Sequence, residues 1–190
     1  LKASALAVGD SVWIKVNNID YEFIVVQQGN PDSALYDESC DGTWLLMKDI
    51  YINIAWDQTS NNYQDSDGQA YLNSTFIGLL DSDVQAAIKQ VKIPYWKGPG
   101  DGGSLASASK GLSARVFLLS RNEVAATAVN SVGDEYASKE GRPLAYFQEM
   151  DTTRDIGRIA YYVGDASSWL LRTVHTASTS SAFSVDTDGS

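Results

Sequence analysis

Three pairs of aspartates stand two residues apart: Asp65 and Asp67, Asp81 and Asp83, Asp186 and Asp188. Two carboxyls about 5–10 Å apart across a cleft are what a glycosidase needs, one of them with a raised pKa. Two of the pairs also adjoin predicted helix starts, where Asp and Ser satisfy free backbone N–H groups. The stretches Asp65-Ser66-Asp67-Gly68 and Asp186-Thr187-Asp188-Gly189 resemble the start of a hard-cation loop. Neither is followed by the bidentate Glu that completes such a loop, and Asp-Gly is also an ordinary turn. No resident cofactor is expected, and calcium is the one ion these turns suit. His175 is the only imidazole, set among small polar residues. A Ser/His/Asp triad would need the fold to bring Ser and Asp to it, since no nucleophile-elbow sequence exists. Cys40 lies between Ser39 and Asp41, an acidic neighbourhood that favours an inert thiol.

Aromatic side chains offer recognition rather than reaction. Of the five tryptophans, Trp44 and Trp169 begin apolar runs and are expected in the core. Trp13 alternates along a predicted strand. Trp56, next to Asp57 and a Ser/Asn stretch, and Trp96, at the edge of a glycine-rich loop, are the candidates for exposure. That loop, residues 97–111, carries five glycines and three serines, but no Gly-Lys-Ser/Thr follows, so it reads as a surface loop or a wrap over the core rather than a phosphate cradle.

Composition sets the frame. The chain has 190 residues, 44% of them hydrophobic and 20% charged, enough for a real core without disulfides or metals. Acidic residues outnumber basic ones by 24 to 14, giving a net charge of −10. No run of Lys or Arg overrides that total, so nucleic-acid binding is not expected. One cysteine excludes an intrachain disulfide and every multi-cysteine metal site. No apolar stretch approaches ~18 residues, so membrane insertion is not expected, and the N-terminus shows no apolar secretory run.

The elements that must position these residues follow from periodicity. Alternation over Val12–Val16 and Tyr21–Val26 around Asn17-Asn18 predicts a hairpin. Trp44–Met47 predicts a core strand. Capping boxes at Ser66/Gln69 and Ser82/Gln85 open two short helices over 67–91, the second ended by Pro94. Leu72, Phe76, Leu79 and Leu80 share one face of the first. Val116–Leu119 predicts a second strong strand, and Ser120 with Glu123 predicts a third short helix to about Ala128. Between Gly133 and Gly157 the pattern is weak, with Leu144, Tyr146 and Phe147 as aromatic cover. Residues 159–163, 168–174 and 182–185 predict the closing strands. Strands first, helices in the middle and strands last is an α+β order.

Read together, Trp44-Leu45-Leu46-Met47, Trp56, Ser66, Tyr71-Leu72-Asn73, Phe76, Val116–Ser120 with Glu123, Trp169-Leu170-Leu171-Arg172, Ala182–Asp186 and Asp188-Gly189 carry a resemblance. Their order and spacing resemble the bacterial and phage domain-of-unknown-function family numbered 6273, over about residues 10–190. Such sequences look distantly similar to the C-type-lectin-like and formylglycine-generating-enzyme superfold. The resemblance implies that Trp44, Trp169 and Arg172 are structural supports beneath a variable surface. It places a substitution-tolerant polar loop at Thr173–Ser181. The opening part, with Gly29-Asn30-Pro31 and Ser39–Trp44, looks most like the phage and prophage members. Two departures stand out. Members usually continue past the Asp-Gly turn to a strand containing Arg-Pro-Ala, so either that strand is missing after Ser190 or another chain supplies it. The paired cysteines of the related enzymes are absent. Asn30-Pro31-Asp32 and Trp56-Asp57 are only partial echoes of calcium-dependent sugar-binding motifs.

The resulting expectation is one α+β, lectin-like domain over residues 1–190, with a mixed or antiparallel sheet and two or three short helices in mid-chain. It is expected to be non-enzymatic: a phage virion protein of the tail or outer shell that binds a bacterial surface glycan or protein. A secreted or cell-surface bacterial binding module is the first alternative, and a hydrolase using an Asp/Glu pair the second. The ligand-binding residues are expected to be Thr173, His175, Thr176, Ser178, Ser180, Trp56 and Trp96. Other virion subunits and copies of the chain itself are the expected partners.

Overall fold

The computed structural model describes residues 2–57, 61–99, 102–126, 139–148, 156–175 and 178–190. Strands β1 (Ser11–Val16) and β2 (Ile19–Gln28) form the predicted hairpin, with Val16 opposite Ile19. Its two-residue turn is Asn17-Asn18, at φ 51° and 63°. Both angles are left-handed, which a tight hairpin requires and Asn tolerates. Strand β3 (Thr43–Met47) pairs antiparallel with the other edge of β2, with an irregularity between Val25 and Gln27. Alternation does its work along β1: Val12, Ile14 and Val16 pack inward, while Trp13 on the opposite face is 66% exposed.

The middle of the chain is helical in short pieces. Ser66 caps α1 (Asp67–Tyr71), its Oγ accepting the Gln69 N–H at 3.1 Å. The chain winds on through a π turn at Leu72–Phe76 and a 3-10 turn at Ile77–Leu79 before α2 (Ser82–Ala87). The second helix does not run to residue 91. It stops at Ala87 because Val91–Ile93 is β4, paired antiparallel with β7 (Leu112–Ala114). The glycine-rich segment is not all loop: β5 (Tyr95–Trp96) pairs with β6 (Leu105–Ala106), and the Ala108 N–H donates to the Leu35 carbonyl at 2.7 Å. The segment therefore wraps onto the body.

A hairpin of β8 (Ala160–Tyr162) and β9 (Asp165–Ser167) leads into β10 (Trp169–Val174), which pairs antiparallel with β11 (Ala182–Val185). The α+β class thus holds as antiparallel ladders with short mid-chain helices, and the ladders form several small sheets rather than one. Two further expectations are corrected. Among the described residues Val116–Leu119 joins no ladder. The Leu118 N–H donates to the Tyr63 hydroxyl at 2.8 Å, and the Leu119 carbonyl accepts from the Arg172 N–H at 2.9 Å. The helix expected from Ser120 is a single turn, broken where Ala125 takes φ +53°. Its predicted end at Ala128 lies outside the described residues.

Burial divides into two clusters. The larger gathers Tyr36, Trp44, Tyr63, Ile93, Leu119, Leu144, Phe147 and Leu171. The smaller lies between β1–β2 and the helical segment, around Val16, Phe23, Phe76, Ile77 and Leu80.

Candidate functional site

Strand β10 is buried over Leu171, Arg172, Thr173 and Val174, and it carries a charge into the interior. Arg172 and Glu123 are both fully buried and form a two-pronged ion pair, Nη1 to Oε2 at 2.6 Å and Nη2 to Oε1 at 2.7 Å. A buried pair is tolerable only if the remaining hydrogen-bonding capacity is also met. Here it is. Glu123 Oε1 accepts the Tyr36 hydroxyl at 2.7 Å, and Oε2 accepts the Ser120 N–H at 2.9 Å. Arg172 also donates to the carbonyls of Pro94 and Leu118, at 3.1 and 2.8 Å. Burial works against the Arg172 charge, but the Glu123 and Glu140 carboxylates outweigh it and raise its pKa.

The Ser120/Glu123 capping box exists, with the Glu123 N–H on Ser120 Oγ at 3.1 Å, but its carboxylate holds Arg172 as well as its own turn. A second carboxylate, Glu140, is equally buried. It accepts the Trp96 N–H at 2.8 Å and meets the Thr173 hydroxyl at 2.5 Å, with Arg172 Nε at 3.7 Å. Burial is the main cause that pushes its pKa up to about 7, against the pull of Arg172. Gly141, at φ +96°, closes the network, since a Cβ there would run into the Tyr36 hydroxyl and the Glu123 side chain. Burial likewise pushes the Tyr36 phenol far above its ordinary value.

Beyond Thr173 the chain emerges as a polar loop. The His175 N–H donates to the Ser181 carbonyl at 2.9 Å. Ser178 Oγ bridges to Ser181 Oγ at 3.1 Å and accepts the Ser180 N–H at 3.1 Å. From the other side one side chain clamps the loop. Asn61 Nδ2 donates to the carbonyls of Ser178 and Ser181, both at 2.8 Å, and to that of His175 at 3.4 Å. A Cβ at Gly98 would lie 3.0 Å from Asn61 Oδ1, so glycine leaves room for the clamp. Next to the loop, the Phe183 ring carries the His175 imidazole, stacked at 5.6 Å, and the Arg121 guanidinium at 4.5 Å.

The structure thus brings His175, Ser178 and Ser180 together beside Asn61, which holds the His175 and Ser178 carbonyls. Thr176 lies outside the described residues. Thr173 is buried rather than presented, its oxygen bonded to Glu140 and to the Arg121 N–H. Trp96 is also buried, against its expected exposure: its indole lies under the glycine segment, 3.5 Å from the Cβ position of Gly103. Trp56 is half-buried against Tyr63, with ring centroids 5.2 Å apart. Trp44 is packed between Tyr36 and Phe117 and donates to the Cys40 carbonyl, while Trp169 donates to the Arg158 carbonyl. Cys40 is buried, and that burial raises its thiol to about 11.

The acidic pairs serve as local turn fasteners where their bonds are described. Asp65 Oδ2 accepts from Asn62, Asp186 Oδ1 from Ser168 and Thr187, and Asp188 Oδ1 from the Ser190 N–H. Among the described residues no three His, Cys, Asp or Glu side chains converge as a metal site. Among these residues no helix is long and apolar enough to cross a membrane. The residues that sequence reasoning missed are Asn61, Tyr36 and Glu140. Only the Ser120/Glu123 spacing gave a local signal of the network, and it pointed to a cap.

No curated protein and no solved structure matches the chain. The family model described as "Domain of unknown function (DUF6273)" matches residues 41–190. That span holds Asn61, both buried glutamates, Arg172 and the loop after it, and by it the chain belongs to the DUF6273 family.

Proposed function

We propose that this is a non-enzymatic attachment domain, lectin-like in action, that holds a bacterial surface glycan or protein through the loop at residues 175–181. Its setting is the tail or outer shell of a phage particle, beside other virion subunits or copies of itself. That setting rests on the likeness of the opening segment to phage members of the family. The observation that carries the binding reading is the Asn61 clamp on three loop carbonyls. Backbone groups held in place before binding lose little conformational freedom when they bind. Its serine hydroxyls and the His175 face are adaptable donors and acceptors, on a base made rigid by a satisfied buried network.

The test is binding of the labelled chain to intact bacterial cells and to their isolated wall polysaccharide. Ser178→Ala/Ser180→Ala and His175→Ala alter the presented surface, and Asn61→Ala frees the loop without changing that surface. Each is expected to weaken binding about tenfold or more, with the thermal melting point of the two loop variants nearly unchanged. Binding unaffected by all three would overturn the assignment to this loop. Absence of binding by the wild-type chain would overturn attachment itself.

A further inference from the structure

A cavity of about 560 Å³ lies on the seam between the two hydrophobic clusters. Trp44, Phe117 and Leu119 line it from the larger cluster, and Phe23, Phe76 and Leu80 from the smaller. Its volume falls in the range of small-molecule sites, roughly 300–1,000 Å³. Cavities with apolar walls stay dry and take apolar guests. The neutral polar side chains of the lining are already engaged: Cys40 Sγ donates to the Lys92 carbonyl at 3.2 Å, Ser39 Oγ accepts the Lys92 N–H at 3.1 Å, and the Thr43 hydroxyl donates to Gln28 at 2.8 Å. An occupant therefore needs an apolar body that asks for no hydrogen bonds inside.

The rim decides what the other end of that occupant is. The charged residues of the lining are Asp83, Lys89 and Arg115. Asp83 accepts the Val84 N–H at the start of α2. Lys89 and Arg115 donate to backbone carbonyls, Lys89 to Asp41 at 2.6 Å and Arg115 to Gln85 and Ile88. Among the described residues neither has a carboxylate partner, in a chain whose net charge is −10. Lys89 is exposed, and its Nζ would lie 3.7 Å from a Cβ at Gly42, on the cavity wall. Its ammonium keeps donors in hand for an anion.

We infer that this cavity binds a monomeric long-chain carboxylate, its aliphatic chain in the seam between the clusters and its carboxylate at Lys89 and Arg115. The inference is independent of the loop at 175–181 and stands or falls apart from it.

Dodecanoate, kept below its micelle-forming concentration, is the probe, followed by tryptophan fluorescence, since Trp44 lines the cavity, and by thermal melting. The expected result is saturable one-to-one binding with a rise in melting temperature. Dodecyltrimethylammonium, with the same chain and the opposite charge, should bind more weakly. Val84→Phe and Leu46→Phe each fill the cavity from a different wall. Either one, melting cooperatively at or above the wild-type temperature, should abolish binding. Lys89→Glu should loosen dodecanoate about 5–10-fold and leave dodecanol within about 2-fold. No saturable binding, binding that survives both filled variants, or equal affinity for the cationic and anionic chains would each overturn the proposal. So would attachment only to vesicles of the acid, which would mark a membrane contact instead.

Discussion

Arg172 and Glu123 sit where water cannot reach, and what makes this tolerable is completeness. Each Glu123 oxygen receives two donors, so neither carries an unmet lone pair into the interior. Glu140 is the less settled member, because it shares Arg172 with a better-placed carboxylate and, among the described residues, gains one backbone N–H and one hydroxyl. Its folded pKa of about 7 lies above the ordinary carboxyl value of 4.5. The folded state therefore keeps a proton that the unfolded chain releases. That contribution to stability is full below about pH 4.5 and is lost as pH rises through about 7. Glu140→Gln is expected to remove this decline, which urea unfolding from pH 5 to 7.5 would measure. Equal slopes for wild type and variant would contradict it. Half-buried Glu22 and Asp32 act in the opposite sense. Lys48 and Arg142, respectively, hold their carboxyls below the usual range, so their part is lost on acidification. No local pattern foretells Glu140, which lies in the stretch of weakest periodicity, and its partners come from β5 and β10.

The elements divide by the range of the forces that set them. The first hairpin is legible because alternation and the Asn-Asn turn are both local, and so is the Ser66 cap. At φ 51° and 63°, replacing Asn17 or Asn18 by Ala should cost about 1 kcal/mol each, whereas Asn18→Gly should cost nothing. Urea midpoints for the three variants would show it, and equal midpoints for Ala and Gly at position 18 would refute it. Elements set from a distance are not legible in this way. Apolar Val116–Leu119 has strand composition, yet Tyr63 and Arg172 take backbone positions that a neighbouring strand would otherwise fill. Ser120/Glu123 has a helix-start pattern, yet Arg172, 49 residues away, takes the carboxylate and Ala125 turns the chain aside. The Asn61 clamp spans 114 to 120 residues, beyond any periodicity.

At the scale of the whole molecule, two hydrophobic clusters meet along a cavity, and β2 belongs to both: Phe23 lies in one and Val26 in the other. Strand order in the N-terminal sheet, β1-β2-β3, makes β2 the partner of β3. Tyr36 is likewise a donor to Glu123 and an acceptor for the Arg142 N–H at 3.1 Å. Strands β1 and β2 and Tyr36 all lie before residue 41, where the family match begins. A fragment of residues 41–190 would leave β3 as a single strand, strip the apolar floor from the helical segment and give Glu123 one donor fewer. It is expected to lack cooperative unfolding by circular dichroism where residues 1–190 show a sharp transition. A sharp transition in the fragment would refute this. The stretch by which this chain is recognised as kin is shorter than the stretch it needs to complete its own hydrogen bonds. Ancestry and cooperativity draw their borders in different places, and a domain cut along the first would be severed across the second.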